Sequence, residues 1–412
     1  MGELIQVSEA QGLVAERIRC LASQLVSLPE ALGLVLAESI FSDMNVPPLD
    51  CSAMDGYAVR ARDLEGASGA SPRRLEEVEE VAAGGLPSRR VEPGQAIRIM
   101  TGAPVPAGAD AVVMVEHTRR GPGWVEVDAS VASGRHIRRS GEDLLEGGQV
   151  LTAGRVIGSS EIGVLASVGC DPVPVYPRPR VAVLPTGDEI VFHREVPGPG
   201  CIRNSSGPAL CAAVLEAGGV PVDMGIGPDS PEPLAERVRQ GLEAADCLVT
   251  SAGVSVGDRD LVRGVLESVG METVFWRVSQ KPGKPLLFGM VGSKPVFGLP
   301  GYPVSSMMTF EHYVRPSIRR MGGLAGTGRR MVLATAAKTL RAAAHRLTWV
   351  RVSLERGEHG RVMMDLAGSQ GSGVLSTLVH TDAILELPAG EMVNAGEEAW
   401  VKRVRDRDFL GE

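Results

Sequence analysis

The chain has 412 residues, 44% of them hydrophobic and 22% charged, with a formal net charge of −8. That length exceeds one ordinary core and predicts about two to four domains. The globular balance excludes a disordered chain, and an acidic total without a Lys/Arg-rich stripe excludes a general nucleic-acid binder.

The six cysteines, Cys20, Cys51, Cys170, Cys201, Cys211 and Cys247, form no CxxC pair and read as reduced packing thiols of a cytoplasmic protein. The N-terminus is acidic and amphipathic, so no signal peptide is expected, and no apolar run approaches the roughly 18 residues of a membrane helix. Residues 7–44 read as helical, with apolar residues recurring at Leu13, Val14 and Ile18 and a second piece opening at Pro29. Pro47-Pro48 stops that pattern. From 47 to 143, short apolar runs alternate with turns, a β-rich pattern. The polar turns between the runs include DCSAMDG at 50–56, TGAPVP at 101–106 and RRSGED at 138–143. A helix near 159–168 and prolines at 172, 174, 177 and 179 mark a small connecting module.

Residues 178–326 carry a βαβ rhythm: strands at 180–184, 220–225, 248–250, 273–278 and 295–298, with helices at 206–216 and 232–245. In open α/β sheets, ligands sit beyond the carboxyl ends of the strands. The strand at 248–250 runs into TSAGVSVGD at 250–258, and a helical stretch follows from Asp260. A strand that ends in Gly and Ser and then feeds a helix leaves N–H groups and hydroxyls pointing outward, which suits an oxyanion. Asp258 and Asp260 on this loop could also hold a metal. Residues 327–412 return to short strands and read as a small β-barrel. The expected architecture is multidomain α/β plus β, with a helical linking domain (1–46 and 144–177), a β-rich domain (47–143), an open three-layer α/β domain (178–326) and a C-terminal β-barrel (327–412).

Four stretches occur in a specific order: SAMDGYAVR at 52–60, IMTGAP at 99–104, TSAGVSVGD at 250–258, and KPGKP at 281–285 followed by GLPGYP at 298–303. With GSGVLS at 371–376 in the tail region, this set resembles the molybdopterin molybdenumtransferases, the MoeA family that includes the E domain of gephyrin. The resemblance implies a homodimer whose α/β domain binds adenylyl-molybdopterin against the 52–60 region of the partner subunit. The implied reaction consumes molybdate, yields molybdenum cofactor and AMP, and needs Mg2+. A contact with molybdopterin adenylyltransferase is also implied, with no nucleic-acid or membrane partner.

Three chemical tasks follow from that reaction. Lys281 and Lys284 are the candidate cations for pyrophosphate and molybdate, although solvated surface lysines would read the same way. N–H groups around Gly253, Gly257 and Gly301 would add donors. Glu189 and Asp260 are the candidate Mg2+ ligands, with Asp229, Asp55 and Asp143 as further catalytic acids and Asp188 and Asp258 beside them; Asp260 also suits a helix N-cap. Thr101, Ser255, Pro300, Pro303 and Ser305 would shape a pocket in which the dithiolene sulfurs attack molybdenum, and Thr101 also reads as a turn hydroxyl. No histidine set has zinc spacing, and Cys51 has no nearby histidine, so packing is its expected role.

Two positions depart from the family pattern. Tyr302 replaces the usual Asn of the Leu-Pro-Gly-Asn-Pro loop, which bears on molybdate against tungstate choice. Asn204-Ser205-Ser206 stands where Asp-Ser-Asn is frequent. No additional C-terminal ligand-binding domain is expected. The rival functions are the upstream adenylyltransferase step, tungstate insertion and a non-catalytic dimeric scaffold.

Overall fold

The computed structural model describes residues 4–253, 261–357 and 360–405. The chain divides into two compact units, one of residues 1–24 and 174–412 and the other of residues 25–173.

The first unit begins with helix α1 (Val7–Arg17). Its α/β part runs β1 (Arg180–Pro185), α2 (Ser206–Glu216), β2 (Val220–Asp223), α3 (Pro231–Ala244), β3 (Cys247–Ser251), α4 (Leu261–Ser268), β4 (Glu272–Trp276), β5 (Gln280–Lys281), β6 (Leu287–Val291), β7 (Lys294–Leu299), α5 (Pro303–Thr309) and α6 (Arg315–Met321). Six strands form one sheet in the order β2-β1-β3-β7-β6-β4. The first four are parallel, and β6 runs antiparallel to both β7 and β4. Alternation along β1 sorts the core: Val181 and Val183 join the cluster packed by α1, α2, α5 and α6, whereas Ala182 and Leu184 join that of α3 and α4. Each fully buried Val or Leu there contributes roughly 1.5–3 kcal/mol. The three-layer α/β reading therefore holds, with β6 as a strand that the sequence pattern did not reveal.

One expectation is corrected. Residues 18–44 are not helical: only a short 3-10 turn, Pro29–Ala31, forms after α1. Gly33, at φ 74°, then breaks the chain out of helical geometry ahead of the strand Val35–Leu36. The N-terminal helix, within the expected linking domain of residues 1–46, packs on the α/β part. Its Val7, Ala10 and Val14, with Ile18, fill the core of the α/β part.

The same unit carries the C-terminal barrel of β8 (Met331–Ala336), β9 (Leu347–Arg356), β10 (Val362–Leu366), β11 (Ala383–Leu387) and β12 (Glu398–Arg403). Pairing runs β9-β10-β8-β12-β11 and closes back onto β9, giving the expected barrel with five strands. The long β9 divides its length among partners: residues 347–348 pair with β5, 348–352 with β11 and 352–356 with β10. Gln280 lies opposite Leu347 and Lys281 opposite Thr348, so the segment just before the KPGKP prolines is a parallel rail on the barrel.

The second unit is built on a six-stranded sheet in the order Ala111–Met114, Gly56–Val59, Gln95–Ile99, Arg73–Val81, Trp124–Val127, Thr118–Gly121. Tyr57 and Val59 face one apolar cluster and Ala58 the other, the period-2 pattern of a strand covered on both sides. The expected connecting helix is present as Ser159–Ser167.

Candidate functional site

Beyond the carboxyl ends of β1, β3 and β7 lies a cavity of about 1000 Å³. Pro185 pairs with Ser251, and Ser251 with Leu299, so the three strand ends are neighbours and their following loops form one rim. From these ends come Thr186 and Glu189, Ser251 to Gly253, and Pro300 to Pro303. The KPGKP turn supplies Lys281, Pro282, Gly283 and Pro285, and α5 supplies Ser305. The barrel contributes Arg346, Gln370, Gly371 and Ser372 to the wall.

Of the sequence candidates, the structure gathers Glu189, Gly253, Lys281, Pro300, Gly301, Pro303 and Ser305 around this one cavity. Lys284 and Asp229 do not line it. The Lys284 carbonyl accepts from the Val278 N–H at 2.9 Å, and its side chain is exposed outside the wall. Asp229 is committed to a loop clasp: its Oδ2 accepts from the Asp188 N–H at 3.3 Å, and Asp188 Oδ1 accepts from the Asp229 N–H at 3.0 Å. Ser255, Gly257, Asp258 and Asp260 lie outside the described residues.

The rim backbone is built for close approach. Ala252 and Gly253 hold φ of 87° and 69° in succession, and a Cβ at Gly253 would lie 2.2 Å from Val262 Cγ2. A non-glycine residue in the left-handed region costs roughly 1–2 kcal/mol and is characteristic of strained functional loops. On the opposite side, Gly283 takes φ 93°, where a Cβ would meet Thr309 Cγ2 at 2.5 Å.

Several residues of this site escape sequence reasoning. Gln280 is fully buried; its Nε2 donates to the Gly283 carbonyl at 2.7 Å, while its Oε1 accepts from the Tyr313 hydroxyl at 2.6 Å. This amide fixes the turn that carries Lys281. Arg351, also fully buried, donates from Nη2 to the carbonyls of Ser369 and Gly371 at 2.8 and 3.3 Å, and so holds the barrel turn in the wall. Arg203 and Arg346 line the cavity beside Lys281. Among the described lining residues, three cations face one carboxylate, Glu189. Asn204 Oδ1 accepts from the Gly207 N–H at 2.9 Å and stabilises the start of α2, whose first residue Ser206 also faces the cavity. Tyr302 lines the wall at 66% exposure, with Gly373 directly behind its ring.

In the second unit, three polar stretches converge. Ser52 pairs with Ile137, its N–H donates to Ala103 O at 2.9 Å, and its carbonyl accepts from the Gly102 N–H at 2.8 Å. Asp55 Oδ1 accepts from both the backbone N–H and the hydroxyl of Thr101, at 2.7 and 2.8 Å. The N–H, then the hydroxyl, hold the Asp55 carboxyl below its ordinary range. Asp143 is exposed on the adjoining turn and its N–H donates to Val46 O at 3.0 Å. That turn is braced by Asp50, which accepts from Arg139 Nη1 at 2.6 Å and from the Ser140 N–H at 2.8 Å. Asp55, Thr101 and the RRSGED turn therefore belong to one polar surface of this unit.

An open α/β sheet with a cavity at its strand ends whose described lining carries Lys281, Arg203 and Arg346, joined to a closed barrel, defines a multidomain α/β protein suited to an anionic ligand. Three family models match: the MoeA N-terminal region (domain I and II) over residues 5–169, a probable molybdopterin binding domain over 182–320, and the MoeA C-terminal region (domain IV) over 334–403. A molybdopterin molybdenumtransferase of Nostoc sp. is 37% identical over 384 residues, covering 92% of this chain and 88% of that protein. Molybdopterin molybdenumtransferase 2 of Mycobacterium tuberculosis is 38% identical over 325 residues, covering 77% of this chain and 80% of its own length. A crystal structure of a molybdopterin biosynthesis MoeA protein from Pyrococcus horikoshii superposes with a TM-score of 0.85 at 31% identity, over 98% of this chain and 100% of that one. The chain belongs to the MoeA family. No helix among the described residues is long and apolar enough to cross a membrane.

Proposed function

We propose that this protein inserts molybdate into adenylyl-molybdopterin, releasing AMP and giving the molybdenum cofactor. The observation that carries this reading is the cavity in which Lys281, Arg346, Arg203, Glu189 and Ser305 meet beyond three adjacent strand ends. Adenylyl-molybdopterin and molybdate both bring negative charge, and three cations in a partly enclosed site offset it far better than they would in open water. Ser305 and Ser372 add hydroxyl donors to the same wall, and the glycine-rich rim brings backbone close to the ligand. Attack of the dithiolene sulfurs on molybdenum needs orientation and partial exclusion of water rather than a protein nucleophile. The proline-stiffened loops at 282–285 and 300–303 provide a fixed wall for that step.

Mg2+ fits this donor set in a limited way. Among the described residues no group of three or more His, Cys, Asp or Glu could cage a metal. One carboxylate among the described residues, Glu189, lines the cavity, and Mg2+ commonly takes one or two carboxylates with substrate phosphates and water. We assign Glu189, with Asp260, as its protein ligands; when bound, the ion supplies charge neutralisation at the phosphoanhydride. We further propose a cytoplasmic homodimer in which the surface of Asp55, Thr101 and Asp143 faces the α/β cavity of the other subunit, with the adenylyltransferase as a transient partner. The relatives' names favour neither the adenylyltransferase nor the scaffold rival.

Purified protein is mixed with adenylyl-molybdopterin, molybdate and Mg2+. AMP release together with a product that reconstitutes an apo-molybdoenzyme is the expected result. Binding without AMP release would refute it, and the same yield without Mg2+ would refute the metal assignment. Lys281→Ala, at an exposed position, is expected to lower turnover by about tenfold or more with folding retained.

A further inference from the structure

A second cavity, of about 660 Å³, shares no lining residue with the first. It is walled by α1, the π-turn Phe310–Val314, α6, the following segment to Arg329, and Lys402 of the barrel. Glu311 is the only carboxylate among its described lining residues, against Arg315, Arg320, Arg329 and Lys402. Both oxygens of Glu311 are taken by Arg329, whose Nε and Nη2 donate at 2.8 Å each. Lys402 is paired with Glu386 at 2.5 Å. Arg315 is left with a poor share: its Nε lies 3.9 Å from Glu311 Oε1, while its Nη1 donates to Thr327 O at 2.9 Å.

Arg315 is only 7% exposed, and its Nε makes no hydrogen bond; the buried Nε of Arg319 makes none either. His312, also in the wall and 7% exposed, stacks on Trp349 at 3.7 Å and leaves its Nε2 without a partner. Burial lowers the Arg315 pKa to about 10, with the neighbouring Arg329 and Arg319 adding to the shift against Glu311. Three guanidiniums and one ammonium thus line the cavity against one fully used carboxylate, and the buried Nε atoms of Arg315 and, behind it, Arg319 make no hydrogen bond. A buried guanidinium N–H left without a hydrogen bond costs free energy that a bound anion recovers. The pocket is large for an inorganic ion and falls in the range of small-molecule sites.

We propose that this cavity is an anion site for a phosphate-type oxyanion, free or as the head of a small phosphomonoester, separate from the site beyond the strand ends. Arg315 is the inner anchor and Arg320, exposed at the mouth, the outer one. The test is calorimetric titration of the full chain at low salt with inorganic phosphate and, separately, ribose 5-phosphate. Wild type is compared with Arg315→Met, Arg320→Ala and Lys281→Ala. Both arginine variants are expected to weaken the binding retained by Lys281→Ala, by about tenfold or more. Tighter binding of ribose 5-phosphate assigns a phosphomonoester, and tighter binding of inorganic phosphate assigns the free ion. If Arg315→Met does not fold, the exposed Arg320→Ala decides alone. Wild-type affinity in the folded arginine variants, binding abolished by Lys281→Ala, or no binding by the wild type would overturn the proposal.

Discussion

Gly283 offers a test of whether the KPGKP loop is held by contact with α5. At φ 93°, a Cβ at this position would lie 2.5 Å from Thr309 Cγ2. Placing alanine in the left-handed region costs about 1–2 kcal/mol. The methyl contact, well inside the ~3.5–4.0 Å optimum, adds roughly 1–3 kcal/mol. Gly283→Ala should therefore destabilise the protein by about 2–5 kcal/mol and displace Lys281. Thr309→Ser removes the Cγ2 but keeps the hydroxyl, which donates to the carbonyls of Ser305 and Ser306 at 2.8 and 2.9 Å. In that background the cost of Gly283→Ala should fall to the backbone share of about 1–2 kcal/mol. Urea unfolding followed by tryptophan fluorescence gives the four stabilities, and AMP release from adenylyl-molybdopterin reports on the loop. Equal costs in the two backgrounds would refute the packing argument.

Three further outcomes are expected. The Asp55 carboxyl, lowered by the Thr101 N–H and hydroxyl, stabilises the fold above its ordinary value of 3.8 and loses that contribution as pH falls from there through the folded value; NMR titration should show a lowered pKa that rises in Thr101→Val, and an unchanged value would count against the pair. Thr250 buries a hydroxyl with no partner, so Thr250→Val should be neutral or stabilising by up to about 1 kcal/mol in urea unfolding, and a clear loss would mean that the hydroxyl is satisfied in solution. Arg351→Met should remove the two carbonyl contacts of the Ser369 to Gly371 turn and raise KM more than it lowers kcat, with partial rescue by Arg351→Lys; equal effects on both would argue against a positioning role.

Much of the α/β domain was legible because its strands are apolar runs that end in glycine, proline or hydroxyl residues. The strand at 180–184 and the helix at 206–216 match β1 and α2 closely. β6 was hidden because LFGMV follows Pro285 without alternation, and its hairpin partner lies across Gly292. The N-terminal helix was readable as a helix, but its partners lie more than a hundred residues away, so its domain was not. The same distance concealed Arg346 and Gln370: nothing local in a barrel sequence says which residues face another domain's loop. Lys281 and Lys284 are equivalent in the motif, and only the turn geometry set by Gln280 separates the one that lines the cavity from the one that does not. Asp229 shows a pairing that spacing does not reveal, its Oδ2 accepting from the Asp188 N–H forty-one residues away.

The two-residue rail of Gln280 and Lys281 on β9 ties chemistry to chain integrity. A polypeptide cut shortly after α6 would retain every strand of the central sheet, yet the lysine would lose its docking edge and the cavity its arginine and glutamine wall. Because Trp349 and Ile384 also seal the core of the α/β part, shortened versions should be both less stable and poor ligand traps. The barrel is in that sense a jig for the neighbouring domain, and its loss would be felt in recognition and in core packing alike.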